Sequence, residues 1–186
     1  MKVLFLGPQG SGKSTQAKLV AEKLAVPYIE MGQLLREKAS GNDTEAGDIR
    51  QALEAGNLVA DPITVKALHD RLAKRDCQNG YVLDGYPRNY AQLEGLPAGI
   101  DKVFYIQIPD DESVKRLINR GRVDDSLDVI TQRLAVFHKE TEPLLAYFRQ
   151  EGILFEINGQ RTIDEIHQEI AEKVNTNESH KEASGN

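Results

Sequence analysis

The sequence has little of what marks secreted, membrane-spanning or nucleic-acid-binding proteins. Its single cysteine among 186 residues, Cys77, excludes an internal disulfide and a multi-cysteine metal cage, so we expect a reducing cytoplasm and no structural zinc. No apolar run approaches the ~20 residues that span a bilayer, and the N-terminus lacks a signal-peptide pattern. A net charge of −6 provides no overall basic field for nucleic acid. We expect a soluble monomer that binds neither membrane nor nucleic acid.

Short apolar runs alternate with helical periodicities along the chain. This alternation predicts an α/β fold in which helices cover both faces of a parallel five-stranded sheet. In such sheets, ligands bind at the carboxyl ends of the strands. The predicted strands are Lys2–Leu6, Pro27–Ile29, Tyr81–Leu83, Lys102–Ile108 and Ile153–Ile157.

Helical patterns divide the chain further. Between the second and third strands they occur three times with no strand between them, which predicts a small helical lobe over residues 31–61 within one domain, residues 1–174. A long helix is predicted over residues 125–150, kinked at Pro143. The tail, residues 175–186, has almost nothing to bury and is predicted to be disordered.

One glycine-rich stretch lies between the first strand and the first helix. Gly7 to Thr15 fits the phosphate-binding loop G-x-x-x-x-G-K-[ST], which indicates a P-loop NTPase-type fold. Backbone N–H groups of such a loop surround a polyphosphate, Lys13 reaches its outer phosphates, and a hydroxyl from Ser14 or Thr15 contacts Mg²⁺. The residues predicted to bind the triphosphate here are Gly10, Ser11, Gly12, Lys13, Ser14 and Thr15.

The third strand ends in an acidic residue, Asp84. A carboxylate at this point is placed to hold Mg²⁺ or its water ligands, together with Ser14 and Thr15. The segment Asp84-Gly85-Tyr86-Pro87-Arg88 resembles the D-G-[FY]-P-R signature of the adenylate kinase family of nucleoside monophosphate kinases. The resemblance extends from Met1 to about Val174.

The resemblance implies an acceptor site for a nucleoside monophosphate. Met31 to Arg36 is similar to the family's T-G-D-[ML]-L-R, which implies that Arg36 binds the acceptor's phosphate. Gln92 stands where the family reads adenine. The implied AMP-binding residues are Met31, Gly32, Arg36, Asn57, Leu58, Val59, Gly85, Arg88, Gln92, Arg122 and Arg133.

The resemblance also implies the donor site and the catalytic groups. Arg116 and Arg120 match R-x-x-x-R, and Gly159 with Arg161 lies where the family turns beneath the ATP base. Arg122 to Asp125 matches R-x-D-D, in which one aspartate caps the next helix and the other orients an arginine. The implied catalytic residues are Lys13, Arg88, Arg120, Arg122 and Arg133.

These positive groups suit phosphoryl transfer from MgATP to AMP. The charge that develops on the moving group is stabilised by positioned cations, and arginine binds phosphate oxygens in pairs. The acceptor needs no general base, because a phosphate monoester with a second pKa of about 6 is already largely dianionic at neutral pH.

Two departures from the family pattern matter for function. Only Gly121 separates Arg120 from Arg122, so a short loop over residues 116–125 replaces the lid domain of longer members. Met31 replaces a usual threonine, and Asn89 is a feature of pyrimidine-preferring relatives, while Gln92 favours AMP. We predict an ATP:AMP phosphotransferase, with UMP or CMP as the alternative acceptor.

Other functional classes fit less well. A GTP-driven switch would need an N-K-x-D segment, which is missing after the fourth strand. A kinase of another small metabolite would lack D-G-Y-P-R together with R-x-D-D, and a noncatalytic nucleotide-binding module would be expected to lose Lys13 or the arginines.

Overall fold

The computed structural model describes residues 1–121 and 126–176. Arg122, both aspartates that follow it and the tail from residue 177 lie outside the described residues, and so do the predictions made for them. Within the described residues no helix is both long and apolar enough to cross a membrane.

Five parallel strands form one sheet, as predicted. Each strand begins and ends within one residue of its predicted bounds, and the spatial order is β2-β3-β1-β4-β5. The strands are β1 (Lys2–Leu6), β2 (Tyr28–Glu30), β3 (Tyr81–Asp84), β4 (Lys102–Gln107) and β5 (Leu154–Asn158). The carboxyl ends of β2, β3 and β1 therefore meet at one edge of the sheet, where ligands of such sheets bind.

Nine α-helices lie within the described residues. They are α1 (Lys13–Leu24), α2 (Met31–Ala39), α3 (Thr44–Glu54), α4 (Asp61–Leu72), α5 (Tyr90–Glu94), α6 (Asp110–Arg120), α7 (Leu127–Val136), α8 (Leu144–Gln150) and α9 (Ile163–Asn175), with a short 3₁₀ turn at Arg75–Cys77. The short helix α5 was not predicted from the sequence. Its signal is Asn89, whose side chain caps the helix by accepting from the Gln92 N–H.

Alternating side chains of the strands build two separate cores. Val3 and Phe5 of β1 face a core shared with α1 and α9, whereas Leu4 and Leu6 face the core that α2, α3, α4 and α8 cover. The period of two along a strand produces this division. The result is the three-layer arrangement predicted for an α/β sheet.

The long helix predicted over residues 125–150 is interrupted in the structure. Helix α7 ends at Val136, a π-helical segment spans Phe137–Thr141, and α8 begins after Pro143. Proline has no N–H and its ring clashes with the carbonyl four residues earlier, so a regular helix cannot continue through it. The Glu142 N–H instead donates to the carbonyl of Phe137, 2.9 Å away, which widens the turn.

Candidate active site

The phosphate-binding loop needs glycine at two positions because of its surroundings. A Cβ on Gly7, whose φ is +146°, would lie 2.5 Å from the carbonyl oxygen of Ile106. A Cβ on Gly10, with φ +83°, would lie 2.9 Å from the carbonyl oxygen of Ser113. The Ser113 hydroxyl donates to the carbonyl of Gln9 and ties the loop to α6. This fixed loop leads directly into α1, whose N-terminus favours anions.

Lys13 begins α1 and extends into the cleft that the loop borders. Its ammonium group donates to the Pro8 carbonyl at 3.1 Å. Burial lowers the pKa of Lys13, and the nearby carboxylate of Asp84 opposes that shift. Arg88 and Arg120 lower this pKa further because they carry the same charge. An anion placed between these cations would relieve their repulsion.

Asp84 is buried at the end of β3 and meets α1. Its Oδ2 accepts from the Ser14 hydroxyl at 2.5 Å and from the Tyr28 hydroxyl at 2.9 Å. Its Oδ1 is buried and has no hydrogen-bond partner among the described residues. A buried carboxylate oxygen that lacks a donor suits a cation or a water bound to one.

The residues present fit a magnesium ion that is bound with the nucleotide. Within residues 1–121 and 126–176 no group of three or more His, Cys, Asp or Glu side chains could hold a metal alone. Ser14 and Asp84 would hold the ion together with phosphate oxygens and water, as Mg²⁺ commonly requires. Ser14 makes the bond to Asp84, while Thr15 is exposed and lines the cleft.

Seven basic side chains line one cleft of about 620 Å³ between the loop, α2 and α6. They come from five different helices or loops and include every predicted cationic ligand of the described residues except Arg161. The seven are Lys13, Lys18, Arg36, Arg88, Arg116, Arg120 and Arg133, of which Lys18 was not among the predicted ligands.

Arg88 lies at the centre of this group. The Nε of Arg88 donates to the Gly85 carbonyl at 2.9 Å. The backbone carbonyl of Arg88 accepts from the Thr141 hydroxyl at 2.8 Å. Burial lowers the pKa of Arg88, and the positive charges of Arg133 and Arg36 lower it further. The π-helical segment thus places the Thr141 hydroxyl within hydrogen-bond distance of the Arg88 carbonyl.

Three of the other arginines are held by carbonyls or carboxylates. Arg133 donates to the Leu53 carbonyl at 3.4 Å, which joins α7 to the end of α3. Arg36 pairs with Glu30 at 2.7 Å, and Arg116 pairs with Glu112 at 2.7 Å. These contacts hold the guanidinium groups at the cleft.

Of the residues predicted to contact the acceptor's base, some line a cleft or groove and others are buried. Gly32 and Gly85 line the cleft, and Asn57 and Leu58 line a separate groove of about 420 Å³. The side chains of Met31, Val59 and Gln92 are instead buried, at 1%, 5% and 1% exposure.

The Gln92 carboxamide is engaged at both ends. Its Oε1 accepts from the Arg88 N–H, and its Nε2 donates to Asp61 Oδ1, each at 2.9 Å. The Asn89 side chain donates to the same Asp61 oxygen at 2.9 Å. Helix α4 begins after Ala60 with no side-chain cap, and the Asp61 carboxylate in its first turn accepts from these two amides.

The two residues predicted beneath the ATP base lie outside the lining of the main cleft. Gly159 packs against β4, where a Cβ would be 2.8 Å from methyl groups of Ile106 and Ile108. Arg161 pairs with Glu169 and donates to the Asn158 carbonyl at 3.3 Å.

Sequence reasoning missed several residues of the site. Gln9, Glu30 and Leu53 line the cleft, and Tyr28 joins Glu30 to Asp84. Glu30 had a detectable signal, because it stands at the carboxyl end of β2 in register with Asp84 of β3.

Comparison with known proteins agrees with this geometry. A family model described as Adenylate kinase matches residues 5–153. An adenylate kinase of Leptospira biflexa is 35% identical over 184 residues, covering 93% of this chain and 99% of the relative. An adenylate kinase of Bifidobacterium longum is 42% identical over 178 residues, covering 89% and 95%. One of Mycobacteroides abscessus is 41% identical over 174 residues, covering 89% and 94%. The chain is therefore an enzyme of the adenylate kinase family.

Proposed function

We propose that the protein transfers the γ-phosphoryl group of MgATP reversibly to AMP, which yields two ADP. The observation that carries this proposal is the convergence of a phosphate-binding loop, a buried carboxylate and seven basic side chains on one cleft. A cleft with this charge suits two phosphate-bearing ligands that must approach each other despite their like charges.

Each side chain then has a role in binding or charge stabilisation. Loop N–H groups and Lys13 bind the donor's phosphates, while Arg36 and Arg88 bind the acceptor's phosphate. Arg120 and Arg133, with Arg122 beyond the described residues, stabilise the charge on the group in transit. Bound Mg²⁺ would neutralise part of the donor's charge beside Ser14 and Asp84. The reaction needs no side chain to take a proton from the acceptor, because the acceptor's phosphate is largely a dianion at neutral pH.

The base sites form the remaining part of the proposal. Arg116, Gly159 and Arg161 serve the donor nucleotide. The acceptor base lies against Gly85 and the turn Asn57–Val59, where Gln92 reads adenine. A carboxamide has two donors and two acceptor sites, so one of each remains on Gln92 after its contacts with Arg88 and Asp61.

The domain organisation is also proposed. Residues 1–174 act as one domain, with residues 31–61 as the acceptor lobe and residues 116–125 in place of a lid; residues 116–120 of this segment belong to α6 and not to a loop. A short loop excludes water less completely than a closing lid, so ATP hydrolysis without AMP should exceed that of a lidded relative. Equal or lower hydrolysis would contradict the lidless arrangement.

The setting we propose is that of a cytoplasmic monomer that uses Mg²⁺ and binds no nucleic acid. The support is the net charge of −6 and the single buried cysteine. Light scattering of the purified chain at micromolar concentration, with and without nucleotide, tests the monomer; a dimer mass under both conditions would contradict it.

The direct test is the reaction itself, followed in both directions by chromatography of the nucleotides. ATP, AMP and Mg²⁺ together should give ADP, and ADP with Mg²⁺ alone should give ATP and AMP. Omission of Mg²⁺ or replacement of Arg88 by Met should reduce both rates at least about 100-fold. ATP binding with no transfer to any monophosphate would instead indicate a noncatalytic nucleotide-binding module.

A further inference from the structure

The fork of Arg36 is occupied by two side chains of this chain. Its Nη2 lies 2.7 Å from Oε1 of Glu30, and the Oε1 of Gln33 lies 3.2 Å from Nη2 and 3.4 Å from Nε. The Nε and Nη2 groups form one of the edges with which a guanidinium binds phosphate or carboxylate in a paired manner. An acceptor phosphate that uses this edge must therefore displace the neutral Gln33 from both groups and the charged Glu30 from Nη2, where the contact is shortest.

Glu30 is held firmly where it competes. It ends β2, in register with Asp84 on β3, so the sheet fixes its backbone beside the cleft. Its Oε2 lies 3.2 Å from the Tyr28 hydroxyl, which also contacts Asp84 Oδ2 at 2.9 Å. Tyr28 has one hydroxyl hydrogen, which the carboxylates of Asp84 and Glu30 share, so Tyr28 is a second donor within reach of Glu30 when Arg36 turns away.

Both members of the ion pair can be reached by a ligand. The side chains of Arg36 and Glu30 are 38% and 23% exposed, and both line the 620 Å³ cleft. A partly exposed pair of this kind is weak enough to be exchanged, because exposed pairs contribute little net stability.

We propose that Glu30 sets the affinity for the acceptor by competing with its phosphate for Arg36. This inference rests on the proposed function, in which Arg36 binds the acceptor's phosphate. A dianionic phosphate displaces the singly charged carboxylate because its charge is larger and its oxygens match the same fork. Glu30 therefore weakens acceptor binding, and it repels the bound dianion as well.

The test is the dissociation constant of AMP, measured by calorimetry without ATP so that turnover plays no part. Glu30→Gln keeps the size of the side chain and removes its charge. We expect it to bind AMP about threefold to tenfold more tightly than wild type. A gain in affinity cannot result from partial unfolding, which would only weaken binding.

A matched control separates competition from general charge. Glu22 on α1 lines the same cleft and is not among the side chains that bond Arg36 in the described part of the chain. Glu22→Gln should change the AMP dissociation constant less than twofold. If it tightens AMP binding as much as Glu30→Gln does, removal of any negative charge is enough and the competition is refuted.

A double-mutant cycle tests the role of Arg36 directly. In an Arg36→Ala background, Glu30→Gln should improve AMP binding by a distinctly smaller factor than in wild type, because the fork is gone. The inference is overturned if Glu30→Gln improves AMP binding by an equal factor in both backgrounds. It is also overturned if the Glu30→Gln single variant binds AMP no more tightly than wild type. If wild type itself fails to bind AMP, the proposed function fails instead.

Discussion

Replacement of Asp61 should reveal how the acceptor side of the cleft is held together. One oxygen, Oδ1, accepts from Asn89 Nδ2 and Gln92 Nε2, and Gln92 in turn accepts from the Arg88 N–H. Asp61→Leu removes that oxygen from a site where Gln92 is 1% exposed. A buried donor left without a partner costs about 1–3 kcal/mol, and the half-buried Asn89 adds up to about 1 kcal/mol. The expected loss of unfolding free energy is therefore about 1–4 kcal/mol.

Asp61→Asn is the matched control, because it keeps a carbonyl oxygen at the same place. It should lose less than about 1 kcal/mol, part of which is the favourable charge at the N-terminus of α4. Urea unfolding with an unchanged m-value measures both losses. Equal destabilisation by the two variants would show that the charge of Asp61 matters and that its acceptor oxygen does not. A Leu variant as stable as wild type would refute the whole account of this contact.

Three further substitutions test other contacts. Lys13→Met should lower kcat at least about 100-fold without loss of stability, since burial already disfavours the charge of Lys13; a lower melting temperature would contradict this. Thr141→Val should lower kcat/KM for AMP several-fold and cost about 1 kcal/mol, because the Arg88 carbonyl loses its donor; unchanged kinetics would remove Thr141 from the site. The pKa of His138 is raised because its imidazolium donates hydrogen bonds to the carboxylates of Glu142 and Asp110. The resulting stabilisation is complete below the unfolded pKa of about 6.5 and is lost as pH rises through the folded value. His138→Gln should therefore destabilise the protein more at pH 5.5 than at pH 8.5, by at most about 1 kcal/mol for a side chain 43% exposed.

The sheet and the phosphate-binding loop could be predicted because their signals are local. Strands buried on both faces appear as short apolar runs, and the glycines of the loop are required by close backbone contacts such as that of Gly7 with Ile106. The capping box of Thr162 and Glu165 is likewise a local pattern, and both of its bonds are present.

The details that the sequence did not reveal depend on contacts between distant residues. Nothing near Gln92 indicates that Asp61, 31 positions earlier, fixes its carboxamide. The π-helical turn before Pro143 was missed because the apolar spacing of a kinked helix and of a widened one is similar. The pairing of Glu30 with Arg36 could have been suspected from the position of Glu30 at the end of β2, but its link through Tyr28 to Asp84 required the sheet register.

The most direct test of the central claim is a comparison of acceptors under one condition. Initial rates of nucleoside diphosphate formation from MgATP should be measured with AMP, UMP, CMP and GMP at equal concentrations. We expect AMP to be phosphorylated fastest, and each AMP consumed with one ATP to give two ADP. A tenfold preference for UMP or CMP, or no transfer to any of the four, would contradict it.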